Sequence, residues 1–128
     1  MILGLLLFQA VAQAAPPAVP TDWSVLPSLP YLSPPAQTAA LSGFVAAEIA
    51  AGRCPIARPA DGRYVVRVDV AALVAADGTI RRTVPRAINC PTVEQYGAGL
   101  ILSFARANLP RGTSDQWYRA SVIFDWAG

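Results

Sequence analysis

The chain has 128 residues and a formal net charge of +2, with 54% of its residues hydrophobic and only 14% charged, which is one domain's worth of sequence. All ten basic residues are Arg, there is no Lys or His, and the two cysteines are Cys54 and Cys90; these absences exclude Ser-His-Asp and Cys-His nucleophile systems, imidazole metal ligands, a Schiff-base lysine, a Walker A loop and a Cys-rich zinc centre. Carboxylates, tyrosines and arginines remain, which points to a binding or structural module without catalytic residues, cofactor or metal, and scattered Arg gives no electrostatic footprint for nucleic acid.

Residues 1–14 read MILGLLLFQAVAQA, an apolar run ending in the small-x-small pattern Ala12-Gln13-Ala14 and followed by Ala15-Pro16-Pro17. The pattern is that of a cleaved signal peptide without a basic leading segment. At about 1.5 Å per residue, a helix of this length reaches about 21 Å, short of the roughly 30 Å hydrocarbon core. The expectation is therefore cleavage, no stable membrane span afterwards, and a periplasmic or secreted location; the rival is a retained anchor, which Pro16 and Pro17 keep from extending further. In such an oxidising compartment two cysteines form one disulfide, Cys54 to Cys90, worth about 4 kcal/mol in the chain-entropy model. If the chain stays in the cytosol, the alternative is two free buried thiols.

Residues 15–35 hold seven of the twelve prolines and read as an extended, partly polyproline-II lead. Trp23, Val25, Leu26, Leu29, Tyr31 and Leu32 are too apolar for a free linker, so part of the lead is expected to lie on the domain, which occupies residues 36–128. Ser33-Pro34 gives an N-cap followed by proline, predicting a helix over 36–51 with Leu41, Phe44, Val45 and Ile49 on its apolar face and Gly52 just past its end. From Tyr64 the period becomes 2: Tyr64, Val66, Val68, Val70, Ala72 and Val74 share one face, and Val65, Arg67, Asp69, Ala71 and Leu73 the other. Asp77-Gly78 turns the chain into a returning strand, Thr79 to Val84, ended by Pro85. Pro91 opens a second helix with Thr92 as N-cap and Gln95 completing a capping box. Its apolar stripe is Val93, Tyr96, Leu100, Ile101 and Phe104, and it stops near Asn108-Leu109-Pro110. The last strand, Trp117 to Trp126, puts Tyr118, Ala120, Val122, Phe124 and Trp126 towards the core.

The order is α-β-β-α-β, a small α+β domain. The crossover through the second helix makes the third strand parallel to the second, so the expected antiparallel sheet has order 2-1-3 with helices packed on it. Strand two is blunted as an edge by Arg81, Arg82 and Pro85. Strand three offers about ten residues without Pro or Gly, an edge suited to an added strand from a partner, with Trp117, Arg119, Ser121, Ile123 and Asp125 as the candidate peptide-binding positions. The other possibilities are that the lead covers this edge or that a second copy does so in a homodimer.

The succession of a helix, RYVVRVDVAALVAADGTIRRTV, INCPTVEQYGAGLILSFARANLP and WYRASVIFDW resembles the C-terminal domain of TonB-type energy transducers over about Pro34 to Trp126. The resemblance implies a periplasmic α+β domain of a bacterial cell envelope whose final strand, here Trp117 to Trp126, pairs with a TonB-box-like peptide of an envelope protein. It does not extend to the motor: a lead of about twenty residues, at up to about 3.6 Å each, reaches only about 70 Å, and the transducers carry an anchor and a long charged spacer. An enzyme would need a carboxylate pair, such as Asp69 with Asp125. The simpler expectation is that Asp69 forms an exposed ion pair with Arg67 and Arg119.

Overall fold

The computed structural model describes Gly4 and residues 17–128; but for Gly4, the expected signal peptide lies outside the described residues. Three strands, β1 (Arg63–Val74), β2 (Ile80–Pro85) and β3 (Gln116–Ala127), form an antiparallel sheet of order β2-β1-β3. Two helices accompany it, α1 (Ser42–Ala50) and α2 (Pro91–Ala105), giving the α-β-β-α-β order of an α+β fold. β1 and β3 pair without a break from Arg63↔Ala127 to Val74↔Gln116, whereas β1 and β2 share a short ladder with a register shift between Leu73 and Val74.

The hairpin forms where Asp77-Gly78 requires it. Gly78 takes φ +86°, the left-handed region that only glycine enters without strain. The Asp77 carboxylate accepts from the Thr79 backbone N–H at 3.0 Å and its hydroxyl at 2.7 Å, and Ala75 N–H donates to Thr79 O at 2.8 Å. These hydrogen bonds hold Asp77 below the usual carboxylate range.

The main core lies between the sheet and the helices. Val66, Val68, Val70, Ala72 and Val74 of β1 and Ala120, Val122 and Phe124 of β3 face Val45 of α1 and Val93, Ala98 and Ile101 of α2. The closest approach comes from small residues: a Cβ on Gly97 would stand 2.8 Å from Val68 Cγ1, so α2 sits on β1 because position 97 has no side chain. Of the expected stripe, Val93 and Ile101 are fully buried, while Tyr96, Leu100 and Phe104 flank the contact.

The two expected helix starts are both displaced. Ser33-Pro34 opens no helix; the chain stays extended to Thr38, makes a 3-10 turn over Ala39–Leu41 and becomes α-helical at Ser42. The reason is tertiary. Asn108 grips Ser33 through both backbone groups, Nδ2 donating to Ser33 O and Oδ1 accepting from Ser33 N–H, each at 2.8 Å. For α2 the N-cap is Cys90 with Pro91 following. Glu94 takes the orphan N–H groups of Ile88 and Cys90 at 3.1 and 3.0 Å, while Thr92, the expected cap, donates to the buried Glu48 carboxylate at 2.9 Å. Glu48 also receives Arg53 Nε at 2.9 Å. The capping box is thus replaced by a capping carboxylate and a side-chain link between α1 and α2.

Cys54 and Cys90 are joined, with Cα atoms 5.0 Å apart. The bridge ties the loop after α1 to the start of α2, and both cysteines are buried.

Candidate functional site

Pairing with β1 fixes which groups of β3 face outward. In an antiparallel strand successive residues direct their N–H and C=O alternately to one neighbour and the other. The residues of β3 at odd positions, Trp117, Arg119, Ser121, Ile123 and Asp125, point their backbone away from β1, and their side chains share the sheet face opposite the main core. The structure thus puts all five candidate positions on one edge and one face.

That edge is occupied by the lead. Ser28 and Arg119 form a parallel bridge, in which Arg119 N–H donates to Pro27 O and Leu29 N–H to Arg119 O, both at 2.8 Å. Further along, the Gln37 side-chain amide takes the place of a peptide unit: Nε2 donates to Ser121 O at 3.2 Å, and Oε1 accepts from Ile123 N–H at 3.0 Å. Ser42 Oγ accepts from Asp125 N–H at 3.2 Å. Backbone groups at four alternate residues of β3 are therefore satisfied by residues 27–42 of the same chain.

The lead also covers half of the face. Trp23 and Leu26 pack with Ala71, Leu73 and Trp117 into a second, smaller core. Trp117 Nε1–H donates to Pro17 O at 2.9 Å, and the Arg86 guanidinium lies 4.6 Å above the Trp23 ring, a cation–π contact. Trp117 is thus a buried packing residue. The other half of the face is open: Val65 and Ile123 are 62% and 48% exposed.

Between these halves sits a polar network. Arg67 Nε donates to Asp69 Oδ1 at 2.8 Å, Ser121 Oγ–H donates to the same oxygen at 2.5 Å, and Arg67 Nη2 reaches Ser121 Oγ at 3.2 Å. Burial raises the Asp69 pKa, but the hydrogen bonds from Ser121 and Arg67 and the charges of Arg67 and Arg86 outweigh it, so the carboxyl titrates below its ordinary value. Asp69 and Asp125 are not brought together. Asp69 lies opposite Ser121, four residues from Asp125 and about 13 Å along the strand, and Asp125 pairs with Arg63 at 2.8 Å. Arg119 joins neither group. A carboxylate held ionised by two donors is poorly suited to exchange a proton near neutral pH.

Among the described residues, no group of three or more His, Cys, Asp or Glu is arranged to hold a metal ion, and no helix is long and apolar enough to cross a membrane. In the sequence Asn108 reads only as the end of a helix, and Gln37 shows no sign of a role. Their signal lies in long-range geometry, because each bonds to a segment more than seventy residues away. Comparison of the chain with known protein families, curated proteins and solved structures finds no match.

Proposed function

We propose that this chain is an exported, disulfide-stabilised, non-enzymatic domain of the cell envelope that closes its own β3 edge and serves as a self-contained structural unit. The observation that carries this reading is the closure itself, in which Pro27, Leu29, Gln37 and Ser42 satisfy Arg119, Ser121, Ile123 and Asp125. A long unpaired edge invites association with other chains, and covering it is how soluble sheets stay monomeric. The Cys54–Cys90 bridge is in keeping with an oxidising compartment.

The test combines export with mass. Material recovered from the envelope fraction of an expressing bacterium should begin near Ala15 by intact mass and be monomeric by light scattering across a hundredfold concentration range. The variant carrying Gln37→Ala and Ser42→Ala, which bares the edge from Ser121 to Asp125, should self-associate. A wild-type dimer, or a double variant as monomeric as wild type, would remove the reading.

A second reading follows from the TonB-like resemblance: strand addition at β3 after the lead lets go, with a TonB-box-like peptide of an envelope protein as partner. One observation favours it. The lead makes a single backbone bridge, and from Ser121 to Asp125 the closure relies on two side chains, so a continuous strand would form more ladder bonds than it displaced. Energy transduction is not part of this reading.

A further inference from the structure

The parallel pairing between lead and β3 stops after one rung for a local reason. To continue it, Leu29 O would accept from Ser121 N–H and Tyr31 N–H would donate to Ser121 O, but Tyr31 N–H donates instead to Leu29 O at 3.0 Å, which turns both groups on each other. The chain leaves the edge there and returns at Gln37. The gap is a cleft of about 340 Å³ bordered by Ser28, Leu29, Arg67, Arg119, Ala120 and Ser121, within the size range of small-ligand sites, roughly 300–1,000 Å³.

We propose that this cleft binds a small organic carboxylate, with the Arg119 guanidinium as its principal contact and the Ser121 backbone N–H as a second donor. Arg119 is half-buried, yet it takes part in none of the four ion pairs among the described residues, which use Arg53, Arg63, Arg67 and Arg81. A half-buried arginine with no acidic partner in an ion pair is free to take an anion, which supplies the counter-charge. Arg67 is matched by Asp69, so the cleft carries one uncompensated positive charge. That balance suits a monoanion. A phosphate or sulfate dianion would exceed it. Arginine presents two parallel N–H groups that match the two oxygens of a planar carboxylate, and Leu29 and Ala120 offer an apolar wall for a short aliphatic tail.

The test is a titration of the isotope-labelled full chain by NMR, following backbone amides and arginine Nε–H groups. Sodium propionate is added at constant ionic strength set with sodium chloride, with sodium sulfate in a parallel series. The expected result is a saturable shift at Ser121 N–H and Arg119 Nε–H, weakened at least tenfold in Arg119→Gln and unchanged in Arg82→Gln, an exposed arginine outside the cleft. Arg119→Lys, which keeps the charge and loses the fork, should bind several-fold more weakly than wild type while preserving the fold. Shifts that do not saturate, that persist in Arg119→Gln, or that sulfate produces at lower concentration than propionate would overturn the assignment. Because the readout is ligand-induced and local, it stands or falls separately from the oligomeric state that tests the proposed function.

Discussion

Asn108 shows how much of this structure rests on one side chain. Its amide nitrogen donates to Ser33 O at 2.8 Å and to Phe104 O at 3.0 Å, its oxygen accepts from Ser33 N–H, and its own carbonyl receives Leu32 N–H at 2.8 Å. It therefore fastens the lead to the end of α2. Asn108→Ala removes the three side-chain bonds and should cost about 1–3 kcal/mol, read as a lower urea midpoint with an unchanged slope. Gly97 is the counterpart in the core: the added methyl of Gly97→Ala meets Val68 at 2.8 Å, and overpacking of that kind costs about 1–3 kcal/mol. An apolar-stripe reading passes over it because glycine carries no hydrophobic side chain to count. Asp69 gives a pH dependence. Its folded pKa is lowered, so it contributes stability that is fully present above its unfolded value of about 3.9 and lost as pH falls through the lower folded value. Asp69→Asn should lower the urea midpoint at pH 7 and flatten the loss of stability below about pH 4; an acid limb identical to wild type would contradict this.

At the scale of elements, the sequence was most legible where periodicity is strong and contacts are local. The alternation from Tyr64 to Val74, the Asp77-Gly78 turn and the alternation from Trp117 to Trp126 each specify a strand or a turn through their immediate neighbours, and the sheet order follows from joining them. The first helix start was illegible because what decides it is distant. Ser33-Pro34 has the local chemistry of a helix start, but Asn108 takes both backbone groups of Ser33, and Gln37, inside the expected helix, is drawn across the β3 edge. The capping box failed for the same reason, since Thr92 reaches Glu48 on the other helix. Of the candidate site, the edge residues were legible from alternation and strand order; what covers them was only one of several possibilities. Gln37→Ala tests the pieces of that cover separately. Exchange of the Ile123 amide should speed up, while the Arg119 amide, held by Pro27 O, should keep its protection.

For the whole molecule, the sheet is gripped on both faces. The helices cover one with the main core, and the lead covers half of the other through Trp23, Leu26 and Trp117. The disulfide fixes the α1–β1 connection to the start of α2, a separation of 36 residues. Replacing both cysteines by serine should lower stability by about 2–4 kcal/mol without moving β3, and retained strand-three exchange protection would confirm that the bridge acts on the helical side. β3 is an edge closed by its own chain. Native-state hydrogen exchange on the full protein, resolved at single amides, tests it most directly. Ala120 and Val122, paired with β1, serve as internal standards. Slow exchange is expected at Arg119, Ile123 and Asp125, and fast exchange at Ser121, whose N–H faces the cleft. Exchange at Arg119, Ile123 and Asp125 at the rates of an unstructured peptide, with Ala120 and Val122 still protected, would show the edge to be open and contradict this closure.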